Sequence, residues 1–141
     1  MTRVYWDSNL FIYMHEGHPE FGPLVRRIYE GMIARYDTLC TSVFTVGEVL
    51  TLPLRLKDEA AIAAIRESML SGEVELLPFT LAMAQRYGQI RALSPVKPAD
   101  ALHLATAIET KVNLFVTNDH KLWKLTLPDK PLTMNLDGKL F

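Results

Sequence analysis

Four carboxylates in this sequence stand where acidic side chains seldom do. Asp7 follows the apolar run Val4-Tyr5-Trp6, and Glu48 lies between Val46-Gly47 and Val49-Leu50. Asp100 is flanked by Pro98-Ala99 and Ala101-Leu102, and Asp119 closes Leu114-Phe115-Val116-Thr117-Asn118. Acids are mostly exposed and mostly surrounded by polar neighbours. Carboxylates gathered at one place repel one another and resist ionisation. A hard divalent cation relieves that cost. Oxygen donors without a cysteine or histidine cluster suit Mg²⁺ or Mn²⁺ better than Zn²⁺. Such a site can acidify a water molecule and polarise a phosphodiester.

Each acid also has an ordinary reading. Asp7 and Asp119 can cap the helices that follow them. Glu48 completes a Thr45-x-x-Glu48 capping box, and Asp100 lies in a first helical turn, where the helix dipole favours an anion. On these readings the chain is an interaction module with structural acids. Spacing alone leaves both alternatives open.

The elements that would position the acids can be read from periodicity. Val4–Trp6 is a short strand ending at Asp7, followed by helical spacing from Asn9 to His15. Phe21, Leu24, Val25, Ile28, Met32 and Ile33 recur at intervals of three and four, as on an amphipathic helix. Thr38–Val43 reads as a second strand, Thr45 as a helix start, and Lys57–Met69 as a further helix. A third strand spans Val74–Leu77, a helix opens at Thr80, and the loop Ser94–Pro98 precedes a short apolar helix over Ala99–Thr110. Asn113–Thr117 is a fourth strand, His120 starts a small helix, and Leu132–Met134 is a possible fifth strand. Alternating strands and helices predict an α/β domain with a mainly parallel sheet of about five strands. Ligands of such sheets bind beyond the carboxyl ends of the strands, where Asp7 and Asp119 stand.

Composition narrows the class. A chain of 141 residues, 49% hydrophobic, predicts one folded domain over residues 1–141. The net charge of -1 argues against sequence-blind binding of duplex DNA by the whole surface. The single cysteine, Cys40, excludes an intramolecular disulfide and a cysteine-rich zinc site. No signal-peptide pattern and no run of about 20 apolar residues is evident, so the expected setting is soluble and cytoplasmic, without a membrane.

Taken together, four segments resemble the PIN-domain family, and within it the small toxin ribonucleases of VapBC-type toxin–antitoxin pairs. They are Val4-Tyr5-Trp6-Asp7-Ser8-Asn9, Thr45-Val46-Gly47-Glu48-Val49-Leu50, the more specific Pro98-Ala99-Asp100-Ala101-Leu102-His103-Leu104-Ala105-Thr106-Ala107, and Val116-Thr117-Asn118-Asp119. Their order and spacing span nearly the whole chain. The resemblance implies a three-layer α/β/α sandwich and Mg²⁺- or Mn²⁺-dependent cleavage of RNA. It makes Asp7 and Asp100 the principal metal ligands, with Glu48 and Asp119 completing the set directly or through water. It also implies that Thr117 hydrogen-bonds Asp7, that Ser8 and Asn9 line the floor of the site, that a small antitoxin protein is the partner, and that the chain forms a homodimer. A housekeeping PIN nuclease without an antitoxin is the alternative within the family. A phosphatase with a strand-end Asp fits less well, because it would favour an acid at Asn9.

Several other residues have two readings. Lys97, His120 and Lys121 can contact phosphate or lie in solvated turns. His103, three residues after Asp100, can serve as proton shuttle or ligand, but its apolar surroundings point to a packed histidine. Arg26, Arg27, Arg35, Arg55, Lys57 and Arg66 read as solvated helix faces. Trp123, followed by Lys124, has no evident place.

Overall fold

The computed structural model describes residues 2–141; Met1 lies outside it. Five strands form one sheet: β1 (Arg3–Trp6), β2 (Thr38–Ser42), β3 (Val74–Leu77), β4 (Leu114–Val116) and β5 (Thr133–Met134). Seven helices accompany them: α1 (Ser8–Glu16), α2 (Phe21–Arg35), α3 (Val43–Arg55), α4 (Glu59–Leu70), α5 (Leu81–Leu93), α6 (Pro98–Thr110) and α7 (His120–Trp123). The strand order is β3-β2-β1-β4-β5, and every strand pairing is parallel. The expected three-layer α/β/α sandwich is the architecture found.

Strand alternation decides which layer each side chain joins. Val4 and Trp6 of β1 enter one core with residues of α1, α2, α3 and α4. Tyr5, between them, enters the other core with Ile90 of α5 and Ala101, Leu104, Ala105, Ala107 and Ile108 of α6. β4 repeats the pattern, with Val116 in the first core and Phe115 in the second. The alternation carries past the strand ends. Asp7 and Thr117 therefore fall on the side of Tyr5 and Phe115, facing α6.

Helix α6 is the apolar wall of that side. Seven of its residues are buried, and its alanines let it lie close to the sheet. Its start is set by Pro98 at the first helical position, where a missing N–H costs nothing and the fixed φ is already helical. Asp100 thereby lands in the first turn, at the same end of the sheet as Asp7. Burying a side chain such as Leu104, 0% exposed, contributes about 1.5–3 kcal/mol, so the position of α6 is firmly held.

The elements differ from expectation mainly at their starts. Helix α3 begins at Val43, two residues before Thr45, and its cap is Ser42, whose hydroxyl accepts from the Phe44 N–H at 3.1 Å. The capping box from Thr45 to Glu48 is therefore not formed. Thr45 is buried and its hydroxyl meets that of Thr41 at 2.7 Å, which in turn donates to the Trp6 carbonyl at 2.9 Å. Helix α4 starts at Glu59 and not at Lys57, because Asp58 caps it through the Ala61 N–H at 3.1 Å.

Candidate active site

The sheet runs outward in both directions from β1: the chain first adds β2 and β3 on one side, then β4 and β5 on the other. The connections leaving β1 and β4 therefore part in opposite directions, and a crevice opens between these strand ends. Asp7 follows β1 and Thr117–Asp119 follow β4, so both sides of the crevice carry acids by position alone.

Asp7 is 3% exposed, and its carboxylate is tied down. Thr117 donates its hydroxyl to Oδ2 at 2.8 Å, and Ser8 donates to Oδ1 at 3.3 Å. The Asp7 N–H also donates to the Val116 carbonyl at 3.0 Å, extending the β1–β4 pairing by one residue. The reading of Asp7 as a helix cap fails in part. It occupies the cap position of α1, but its side chain makes no capping hydrogen bond. Its oxygens are turned into the crevice. Asn9, half-buried, follows one position along α1.

Asp100 enters from α6. Its pKa is pushed up to about 6, first by burial and then by the negative charges of Asp7 and Asp119; His103 and Lys97 pull the other way. The charges of Asp7 and Asp119 thus reach Asp100 strongly enough to disfavour its ionisation. Asp119 does cap α7, accepting from the Lys121 N–H at 3.0 Å, so here capping and membership of the acidic rim coexist. Lys97, Asp100, Asp119 and Lys121 line one cleft together with Val96 and Leu122. His120 instead rests edge-on against Trp123, with ring centroids 6.3 Å apart.

Glu48 reaches the crevice from α3 and meets a histidine. His103 Nε2 lies 2.6 Å from Glu48 Oε1 and 4.0 Å from Asp7 Oδ1, so two carboxylates approach one ring nitrogen. The other ring nitrogen, Nδ1, lies 2.6 Å from the Tyr5 hydroxyl. His103 is therefore more than a packed histidine. The period of the strand could have exposed Tyr5 as its partner, because Tyr5 stands two residues before Asp7 and shares its face. The 98-residue separation of Tyr5 and His103 conceals the contact from any local reading. Trp123 also finds its place: its indole N–H donates to the Thr117 carbonyl at 2.8 Å, and its ring stacks on Phe141 with centroids 5.3 Å apart. It braces the strand end that carries Thr117.

The donor set bears on a metal. Among the described residues, no three Asp, Glu, His or Cys side chains stand close enough to enclose one ion. The acids form an open rim and not a cage. An open rim suits Mg²⁺, which keeps several waters and takes one or two carboxylates alongside substrate phosphates. Burial and the charges of Asp7 and Asp119 disfavour the Asp100 carboxylate, a cost that a hard cation relieves. The residues present fit such an ion.

Comparison with known proteins agrees with the fold. The sequence pattern of the PIN domain matches residues 4–126. No curated protein matches the chain. Among solved structures, the chain is similar to VapBC2 from Rickettsia felis bound to a DNA fragment from its promoter, with a TM-score of 0.77, 19% identity, and 95% of this chain and 98% of the other covered. The DNA-bound VapBC from Salmonella typhimurium gives 0.68, 22% identity and coverage of 96% and 99%. The sarcin-ricin loop cleaving toxin VapC20 of Mycobacterium tuberculosis gives 0.64, 16% identity and coverage of 79% and 86%.

Proposed function

The chain belongs to the PIN-domain family, and from that premise we propose that it is a divalent-metal-dependent endoribonuclease, the toxin of a toxin–antitoxin pair. The observation that carries the reading is the placement of Asp7, Asp100 and Asp119 around the β1/β4 crevice, where burial first, and then the charges of Asp7 and Asp119, raise the Asp100 pKa. Acids placed only to cap helices would not converge in this way, and the carboxylate of Asp7 caps nothing.

Asp7 and Asp100 would hold the ion, with Asp119 beside them and Glu48 at the edge, directly or through water. When bound, Mg²⁺ or Mn²⁺ supplies a Lewis acid for the scissile phosphodiester and favours deprotonation of the attacking water. The chain's own contributions are positional. Thr117 and Ser8 fix both oxygens of Asp7, so the rim does not reorganise when substrate arrives. Glu48, engaged by His103 through Oε1, presents its carboxylate beside Asp7, where it can orient a water molecule. Lys97 and Lys121 flank Asp100 and Asp119 in one cleft and would meet the phosphates on either side of the cut. RNA with exposed, unstacked bases is the fitting substrate class, since its backbone can enter a shallow rim.

The structural neighbours that are VapBC complexes support an antitoxin partner for this chain, in keeping with a homodimeric cytoplasmic toxin. A groove between α1, α3 and α4 offers that partner an apolar seat. It is lined by Ile12, Val49, Leu52, Pro53 and Leu56, of which Leu52 and Leu56 are 48% and 67% exposed. No helix of the described residues is long and apolar enough to cross a membrane.

The test is cleavage of a mixed pool of structured and single-stranded RNAs by purified protein, in Mg²⁺ or Mn²⁺ against EDTA. Asp7→Ala and Asp100→Ala are run alongside. Cleavage that requires the metal and both acids is expected. A folded wild type indistinguishable from both variants under every metal would remove the nuclease reading.

A further inference from the structure

His103 is 1% exposed, yet it makes two short polar contacts, one from each ring nitrogen. The direction of those hydrogen bonds follows from counting protons along the chain of contacts. The Tyr5 hydroxyl already accepts the Ser42 N–H at 3.2 Å. A tyrosine phenol carries its proton at neutral pH and must donate it somewhere. The nearby Thr41 hydroxyl donates to the Trp6 carbonyl and meets the Thr45 hydroxyl, and no hydrogen bond joins it to Tyr5 among the described residues. His103 Nδ1, at 2.6 Å, is the acceptor within hydrogen-bond distance. With Nδ1 accepting, the ring's proton sits on Nε2, facing Glu48 Oε1 at 2.6 Å. The reverse tautomer would aim a nitrogen lone pair at a carboxylate oxygen while Tyr5 lost its acceptor.

We propose that His103 is a positioning residue, held by Tyr5 as the Nε2–H tautomer, whose single N–H draws the Glu48 carboxylate to the crevice beside Asp7. The chain Ser42 N–H, Tyr5 hydroxyl, His103 and Glu48 is then a one-way series of donors that starts in the backbone at the end of β2 and finishes at the acidic rim. Every link but the last is buried, so the series is stiff. Phe44 packs edge-on to the imidazole, with ring centroids 6.2 Å apart. The N–H also lies between two negative groups, 2.6 Å from Glu48 and 4.0 Å from Asp7. It lets them approach each other without a cation. Glu48 is thereby in place before anything binds.

The role for Glu48 rests on the nuclease reading, whereas the tautomer does not, and the experiment separates the two. Imidazole-¹⁵N-labelled, metal-free protein is examined by NMR, with the His103 signals assigned by their loss in His103→Gln. An unprotonated, hydrogen-bonded Nδ1 and a protonated Nε2 are expected in the wild type, and the Nδ1 signal should move downfield when Tyr5→Phe removes its donor. A protonated Nδ1, as the other tautomer or as imidazolium, would overturn the proposal. RNA cleavage is then measured for His103→Leu, which deletes the donor, and for His103→Gln, whose amide can still donate to Glu48. A fall in kcat on the order of 10–100-fold with little change in KM is expected for the leucine variant, as for other groups that orient an active-site ligand, with most of it restored by glutamine. A folded leucine variant as active as wild type, or a glutamine variant as impaired as leucine, would refute the positioning role. If the wild type cleaves no RNA, the nuclease reading fails, and the NMR arm still decides the hydrogen-bond series.

Discussion

The two walls of the crevice carry the same side chain under opposite conditions. On the β1/β4 wall, Asp7 is almost fully buried and receives hydroxyl donors on both oxygens, from Thr117 and Ser8. On the α6 wall, Asp100 is half-buried, and among the described residues nothing donates to its carboxylate. Only Lys97 and the His103 ring act to lower its pKa, while burial, Asp7 and Asp119 all raise it. One wall is satisfied by the fold, and the other is left for a ligand to satisfy. An acid that the fold has already stabilised fixes geometry. An acid that the fold has left in tension supplies binding energy, because whatever relieves the tension is held by it.

The largest effect should come from removing either wall outright. Asp7→Ala or Asp100→Ala should lower RNA cleavage by more than about 100-fold, since loss of a supporting partner alone typically costs ~10–100-fold; single-turnover assays would show this. If only Asp7 mattered, the two-wall comparison would collapse.

Thr117→Ala tests the satisfied wall at its most important donor. Cleavage should fall ~10–100-fold, and stability by about 1–3 kcal/mol as a buried acceptor loses its donor. Thr117→Ser should recover both, as read by kinetics and urea denaturation. Next, saturating Mn²⁺ at about 100 times its Kd should stabilise the protein by about 2.7 kcal/mol, visible as a higher Tm. Asp100→Asn should abolish most of that rise, while Asp119→Asn, still able to cap α7, should reduce it less.

The smallest effect is the pH dependence of the metal-free protein. A folded-state pKa of about 6 against an ordinary 3.8 means that the folded protein binds this proton more tightly than the unfolded chain does. The contribution of Asp100 to stability therefore rises as pH falls from above about 6 towards 3.8, and is lost again as pH rises through 6. Asp100→Asn should flatten that part of the profile and make the metal-free protein more stable than wild type at neutral pH. Chemical denaturation across pH 4–7 would check it; an unchanged slope in the variant would place the tension elsewhere.

What the sequence disclosed about this arrangement follows from the range of its signals. Alternation in Val4-Tyr5-Trp6 and Leu114-Phe115-Val116 marks the strands, and the same alternation puts Asp7 and Thr117 on one face. The four acids and Thr117 were legible because strand ends and first helical turns are local features. The capping roles were less legible. Ser42, Asp58 and Thr80 cap their helices, but Thr45 does not, because its hydroxyl is drawn to Thr41 in the neighbouring turn. His103 and Trp123 were the least legible. Their partners, Tyr5 with Glu48 and Thr117 with Phe141, are chosen by the three-dimensional register of β1, β4 and α6. An apolar neighbourhood in sequence conceals a polar contact made across the sheet.

The strand order bears on when the site comes into being. β1 is made well before β4, yet they lie side by side, and Asp7 waits for a hydroxyl 110 residues further along the chain. At roughly 5–20 residues per second of synthesis, a growing chain spends several seconds with β1, β2 and β3 emerged but with neither Thr117 nor Asp119 available. Through that interval Asp7 has no β4 wall to complete its crevice. The two walls of the crevice are thus joined only when β4 docks, so the order of synthesis delays assembly of the site.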